Sequence, residues 1–557
     1  MKIKILLFLL LIPAFFFLLK PGIYWNMHDD TQIIRQLEME KCLLDGQIPC
    51  RWSPDLDFGY GYPLFNFYPP LPYVVGEFFR VFGFSFITTV KLTAISQILF
   101  SALAMYLCAS IFFGPLGAFL STLFYVYAPY RNLNIYVRGA MNEAWASVFF
   151  PLIFYFSYRL ITAKKHQTYY LLFLSLSICG VLLSHNPMML AFAPFIVIWV
   201  LFWLFHQPLS SSVIKNLLFS ALLSIGLSAF FTLPVLFESR LVKIDSMFSG
   251  YYHYSAHFAS LKQLFLSNFW GEGPSVWGTE DQMSFMVGYL HWLLPSLILI
   301  FSFYLYYRKI HLKTVLLIIF LVLLGFFSTF MAHQKSFLFW QLFQPLQKVQ
   351  FPWRFLNISA FLFSFSVGSL GFYLNKFKFN PKPTFVIIFP LVLILLIINW
   401  QHLTPITHGP VTDAQKMSGI AWTNQITSGS FDYLPQSAKT AAISPPSGII
   451  DEISPKVSYQ TSGTKSGTDW LFFNLDLKEK ATLTLSRLAF PEFTLYDRQT
   501  PIKFQIEPIL GRIRFELGPG NHQLFLKLRN TPVRTIANYL SLLSWVFLIW
   551  KFLKSKK

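Results

Sequence analysis

Long apolar blocks separated by short polar stretches run through most of this chain. "ILLFLLLIPAFFFLL" near the start and "TFVIIFPLVLILLII" near residue 390 are the plainest. Blocks of this length match helices crossing a hydrocarbon layer about 30 Å thick, rather than one face of a soluble core. The first run is too long for a signal peptide and has no small-residue cleavage site, so it is expected to stay as a span. Further blocks fall at 88–112, 117–130, 144–159, 169–183, 188–205, 216–236, 285–307, 313–331, 355–373, 384–400 and 536–552. The pattern predicts an α-helical polytopic membrane protein of about 12 spans.

The period changes after Trp400. Residues 401–455 are rich in Ser, Thr, Gly and Pro, and then "ATLTLSRLAF", "IKFQIEPIL" and "IRFELGPGNHQLFLKL" alternate apolar and polar positions. That period of two predicts half-buried strands, and "GPGN" between two of them points to an antiparallel sandwich. The expected organisation is a membrane domain over 1–400, an extracytoplasmic β-rich domain over 401–534, and a final helix with a basic tail over 535–557. In the long first outer loop, 20–72, Ile33, Ile34, Leu37, Cys42 and Leu44 share one side of a helix, as suits one lying on a membrane surface. The segment 71–83, "LPYVVGEFFRVFG", is too short to span and reads as partly inserted.

Charge adds a direction. The 557 residues are 54% hydrophobic and 12% charged, with mean hydropathy +0.51. The predicted inner segments hold Lys164, Lys165, Lys215, Arg308, Lys309, Lys376, Lys378, Lys382, Lys551, Lys554, Lys556 and Lys557 and no carboxylate. By the positive-inside rule both termini are expected in the cytoplasm. The net charge of +19 is therefore topological, and no nucleic-acid partner is expected. Cys42 and Cys50 share the first outer loop and are expected to form a disulfide.

Ionisable side chains near a membrane are costly, so their positions carry information. They gather at predicted outer ends: His28, Asp29 and Asp30 in "WNMHDD", Arg138 and Glu143 in "YVRGAMNEA", His185 in "SHNP", His291, and Arg354 in "VQFPWRFLN". A carboxylate there can act as general base, and a pair can hold a divalent metal ion with phosphate oxygens. Arg138 and Arg354 suit a phosphate. Plainer readings stand beside these: Asp30 as helix N-cap, Arg138–Glu143 as an ion pair bracing a loop, and His185 and His291 as interhelical hydrogen bonders. His253 and His257 have the i, i+4 spacing of metal ligands, with no third ligand evident.

An aspartate pair in the first outer loop of a many-span protein resembles the GT-C glycosyltransferases, which take sugar from polyprenyl-phosphate carriers. "HDD", "PCRWSPDLDFGYGYPLFNFYPPLPY", "YVRGAMNEA", "SHNP" and "VQFPWRFLN" together resemble the bacterial membrane family labelled 6-pyruvoyl-tetrahydropterin-synthase-related. The resemblance implies a GT-C-like fold with Asp29 or Asp30 as catalytic base. It departs at "FPEFTLYDRQ", where Phe493 stands in place of the usual Trp.

The expected function is transfer of a sugar from a polyprenyl-phosphate-linked donor to a glycan, lipid or protein acceptor, at the outer face of a bacterial inner membrane. His28, Arg138, Glu143, His185 and Arg354 would bind the donor phosphate, and Asp29 and Asp30 any divalent metal. A transporter or flippase, or a non-catalytic scaffold, is the alternative. The scarcity of charge inside the spans and the lack of a repeat weigh against transport.

Overall fold

The computed structural model describes residues 2–207, 210–278, 280–376 and 381–555, with the backbone alone for residues 2 and 381–386. Lys378, Lys556 and Lys557 of the predicted inner segments lie outside the described residues, as does the side chain of Lys382. Eight of the described helices are long and apolar enough to cross a membrane. They are Phe86–Tyr127, Met141–Thr162, Gln167–Ser184, Asn186–Phe205, Tyr289–Tyr307, Leu312–Met331, Pro352–Lys376 and Pro532–Ser555. Ser211–Leu227 and Ala229–Leu241, bent by 80° at their junction, make a ninth if taken as one span.

The count departs from the expected twelve for local reasons. Blocks 88–112 and 117–130 form one 42-residue stretch, Phe86–Tyr127. An unbroken helix of that length would reach about 63 Å, twice the hydrocarbon core. It leaves helical geometry at Gly114, where φ is +70°, immediately before Pro115. The first apolar run is helical only over Lys2–Leu11 and then turns through short 3-10 segments around Pro13, which supplies no amide hydrogen. The block at 384–400 contributes a shorter apolar helix among the described residues.

Two antiparallel sheets follow. A short pair first ties the ends of the membrane region together: β1 (Ile23–Trp25) against β2 (His408–Pro410). The sandwich itself comprises β3 (Ile450–Ser454), β4 (Tyr459–Ser466), β5 (Trp470–Leu477), β6 (Ala481–Leu488), β7 (Phe493–Asp497), β8 (Thr500–Ile502), β9 (Gln505–Ile506), β10 (Arg512–Leu517) and β11 (Gly520–Leu528). One sheet runs β3-β6-β10-β9 and the other β4-β5-β11-β7-β8. The "GPGN" turn therefore joins two sheets, because β10 pairs with β6 and β11 with β5 and β7. The alternation in "IKFQIEPIL" yields only short strands. Glu507 turns back there to accept the amides of Ile509 and Leu510 at 2.7 and 2.9 Å.

The first loop fills the space between the membrane helices and the sandwich. Its helix Gln32–Leu44 does not lie free on a surface as the pattern predicted. Ile33 packs in the membrane-domain core, while Ile34, Met39 and Cys42 join the core that includes Phe473, Leu483 and Leu524 of the sandwich. Only the far end is open, with Leu44 82% exposed. Cys42 and Cys50 are joined by a disulfide. Asp45 accepts from the backbone and side chain of Thr468, each at 2.8 Å, and from Trp470 Nε1 at 3.1 Å, fastening the helix end to the sandwich. Phe493 is buried edge-on against Trp52, with ring centres 5.1 Å apart, so it offers no open face for stacking.

Helix packing around the break at Gly114 uses glycines. A Cβ on Gly371 would meet the backbone N and Cα of Gly117, and one on Gly117 the carbonyl of Gly368, atoms that cannot swing aside. Gly371→Leu is expected to lower the melting temperature of the detergent-solubilised protein, at a cost of about 1–3 kcal/mol. Gly409→Ala, which meets open space, should change stability by less than about 0.5 kcal/mol. Equal melting temperatures for both variants would refute this close approach.

Candidate active site

Residues 27–31 reach the site as a non-helical segment that turns at His28 and Asp29 and is held by a turn far away in sequence. The amides of His28 and Asp29 donate to the carbonyls of Val137 and Arg138, each at 2.9 Å, and Gln32 Nε2 donates to Gly139 O at 2.7 Å. Gly139 adopts φ +68°, and a Cβ there would come within 2.8 Å of Met27. The close approach therefore depends on glycine.

The two aspartates part company. Asp29 faces a cavity of about 510 Å³, with its side chain 47% exposed, and its Oδ1 lies 3.0 Å from His28 Nδ1. Asp30 turns away and pairs with Lys416, from the segment after the membrane region. It does not cap the helix that follows; Thr31 holds that position. Among the described residues no three His, Cys, Asp or Glu side chains gather closely enough to hold a metal ion. With Asp29 turned to His28 and Asp30 to Lys416, the pair does not form the chelating seat that their adjacency suggested.

Burial pushes the Asp29 carboxyl up, but its hydrogen bond to His28, with the charges of His28, Arg138 and Arg35, brings it below the usual aspartate range. The same hydrogen bond raises His28 against the opposing effect of burial. Asp29 is thus an ionised carboxylate at neutral pH, open to the cavity.

Arg138, Glu143, His185 and Arg354 line that cavity too. Glu143, in the first turn of Met141–Thr162, is fully buried, with Arg138 Nη1 at 2.9 Å and Arg354 Nε at 3.4 Å from the same oxygen. Its other oxygen accepts from Tyr130 at 2.8 Å. Two guanidinium groups share one carboxylate, so this wall carries one uncompensated positive charge. Arg138 also lies 4.3 Å over the Trp353 ring. The loop-bracing reading of Arg138–Glu143 is therefore correct as far as it goes, and Arg354 is the cation it leaves in excess.

His185 caps the helix Asn186–Phe205, its Nδ1 accepting the amide of Met188 at 3.1 Å. An accepting Nδ1 leaves the ring hydrogen on Nε2 in the neutral tautomer. Burial and then Arg354 push this imidazole down to about 3, so it stays neutral. His291 is elsewhere, buried and hydrogen-bonded to Phe124 O at 2.7 Å, which is the interhelical role expected of it. His253 and His257 flank the short 3-10 turn Tyr254–Ala256 rather than sharing a face of one helix. His257 is spent within its loop, Nε2 donating to Tyr251 O at 2.6 Å and Nδ1 accepting from the Ser275 hydroxyl at 2.8 Å.

Two charged residues of the cavity escaped the sequence reading. Arg35 looked like the polar side of a surface helix, yet it donates to Tyr68 OH at 2.7 Å and stacks 4.1 Å from that ring. Asp432 comes from "TSGSFDYL", a stretch with no period to flag it, and its segment folds back over the cavity. Burial raises the Asp432 carboxyl to about 6, against the pull of Arg35.

No family model matches the chain. A protein of Lactococcus lactis subsp. cremoris (strain MG1363), described as uncharacterized, is 24% identical over 236 residues. That match covers 40% of this chain and 36% of the relative, so the chain spans about a third of the length of that relative. Two solved structures of the Archaeoglobus fulgidus oligosaccharyltransferase align with a TM-score of 0.44 each. The one tethered to an acceptor peptide containing the NVT sequon is 12% identical and covers 74% of this chain and 56% of its own. The apo form is 11% identical and covers 80% and 61%.

Glu143→Gln should cost about 3–5 kcal/mol in melting experiments, because it strands two buried cations. Asp29→Asn, half-exposed, should stay within about 0.5 kcal/mol of wild type. Comparable losses would mean that Glu143 is not the anchor of this wall. Asp432 prefers its neutral form when folded, so its charge destabilises the fold above about pH 6, and the penalty fades as pH falls toward the unfolded value. Asp432→Asn should therefore raise stability at pH 7.5 by about 1–2 kcal/mol, allowing for partial exposure, and match wild type below about pH 4. A gain that persists at pH 4 would refute the assignment.

Proposed function

We propose that this protein is a membrane glycosyltransferase that moves a sugar from a polyprenyl-phosphate-linked donor to a glycan, lipid or protein acceptor. The observation that carries this reading is the pairing, within one cavity, of an open ionised carboxylate with an arginine wall one charge in excess. A cavity of about 510 Å³ is of the size that takes a sugar with its phosphate. The proposal places it at the extracytoplasmic face of a bacterial inner membrane, in keeping with the lysine and arginine distribution.

Asp29 takes the proton from the acceptor hydroxyl as that oxygen attacks the anomeric carbon. The bond from that carbon to the phosphate oxygen breaks, and its electron pair leaves with the lipid phosphate. Arg138 and Arg354 stabilise the phosphate charge as it develops, in a site where Glu143 holds both guanidinium groups in place. His185 offers a neutral Nε2–H to a phosphate or sugar oxygen. Attack from the face opposite the phosphate inverts the anomeric centre. Asp30 braces the base from outside through Lys416 and touches no substrate.

Positioned general bases contribute about 10²–10⁴-fold. In cells expressing matched amounts of each variant, Asp29→Asn is expected to lose the same sugar from the envelope glycan profile as a deletion does. Asp30→Asn should keep most of it. If Asp29→Asn retains a glycan that the deletion lacks, the carboxylate performs no chemistry, and a transport or scaffold role takes precedence.

A further inference from the structure

A second cavity, of about 260 Å³, lies where the disulfide loop, the sandwich and the last helix meet. Residues 46–49, Arg51, Asp469, residues 527–530 and Arg534 line it, and none of these lines the larger cavity. Four cations converge here. Lys527 is neutralised by Asp469 at 2.7 Å and Arg534 by Glu238 at 2.9 Å. Among the described residues neither Arg51 nor Arg529 has an ion-pair partner, which leaves two positive charges in excess.

The arginines are also incompletely hydrogen-bonded. Arg51 is buried, and its Nη1 and Nη2 donate only to uncharged acceptors: Asn66 Oδ1 at 2.8 Å, Asn538 Oδ1 at 2.7 Å and Phe230 O at 3.2 Å. Among the described residues its Nε, and Nη2 of the fully buried Arg534, have no hydrogen-bond partner. Burial and the neighbouring Arg534 push Arg51 down to about 9. Those two nitrogens are enclosed by protein, so what an anion in the cavity would offset is the unneutralised charge of Arg51 and Arg529.

Position narrows the anion. The 24-residue helix Pro532–Ser555 begins at this cavity, aiming the positive end of its dipole at it. That helix is apolar enough to cross a membrane, so its first turn marks the depth of lipid headgroups. At the rim Ile48 is 75% exposed, an apolar side chain beside a cationic pocket. Several acceptor oxygens, negative charge and an apolar neighbour describe a phosphate group. We propose that this cavity is a phosphate-binding site, distinct from the candidate active site, filled by the phosphate of a phospholipid headgroup or by free phosphate.

The test uses the full-length protein in detergent at constant ionic strength, titrated with inorganic phosphate or short-chain phosphatidylglycerol, with a short-chain diacylglycerol, which lacks the phosphate, as control. A ligand that binds the folded state raises the melting temperature. Wild type should be stabilised by at least one of the two phosphate probes. Arg529→Ala, at an exposed position, and Lys527→Ala should each raise the half-saturating concentration about tenfold. Lys480→Ala, a surface cation of the same sandwich paired with Glu516, should leave it unchanged. Stabilisation by phosphatidylglycerol alone identifies a headgroup, and by inorganic phosphate a free ligand. No shift with either probe, or equal shifts in wild type and both cavity variants, overturns the site. Glycan profiles do not enter the measurement, so its failure is separate from failure of the transferase reading.

Discussion

Glu143 is a buried carboxylate in the first turn of an apolar helix, and the architecture of the larger cavity follows from how it is satisfied. Such a charge persists only if paired and hydrogen-bonded. Its partners come from the turn just before it and from the 3-10 turn at Arg354, more than two hundred residues later. Satisfying one anion with two cations pins the starts of Met141–Thr162 and Pro352–Lys376 to the turn at Arg138. It also leaves a positive surface facing the cavity, the property most useful for holding an anionic group.

The same economy applies to the aspartates. Adjacent in sequence, they are separated in space because the chain turns here, with the Thr31 amide donating back to Asp29 O at 2.8 Å across Asp30. One takes up Lys416 and so anchors the segment that returns from the membrane region. The other is left facing the cavity, its side chain hydrogen-bonded to His28. The paired aspartate and the open one are neighbours, and pairing of one with Lys416 accompanies exposure of the other to the cavity.

The first loop joins the two halves of the molecule. It presents Ile33 to the membrane helices and Ile34, Met39 and Trp52 to the sandwich, and it carries its polar groups by pairing them across the junction. Asp45 binds Thr468 and Trp470, Gln47 binds Thr468, and Arg51 reaches Asn538 of the last helix. The sandwich is thereby held against the membrane domain by directional bonds as well as apolar area, and the second cavity sits where those bonds leave cationic donors unfilled.

Much of this was legible in the sequence alone. Apolar length announced membrane helices, the period of two announced the sandwich, and the rarity of charge in apolar blocks picked out Asp29, Arg138, Glu143, His185 and Arg354, because ionisable groups there are too costly to be incidental. Local pattern could not reveal what depends on distant partners. Asp29 and Asp30 have the same immediate surroundings in sequence, and only the position of Lys416 tells them apart. The helix Gln32–Leu44 is amphipathic whether it meets lipid or a sandwich, so its burial on both sides was decided by the β-rich domain. Arg35 and Asp432 lie on a helix face and in an aperiodic loop, where charge is the ordinary choice. Tertiary structure alone brings them to the cavity, since burial and charge neutrality are properties of assembled surroundings.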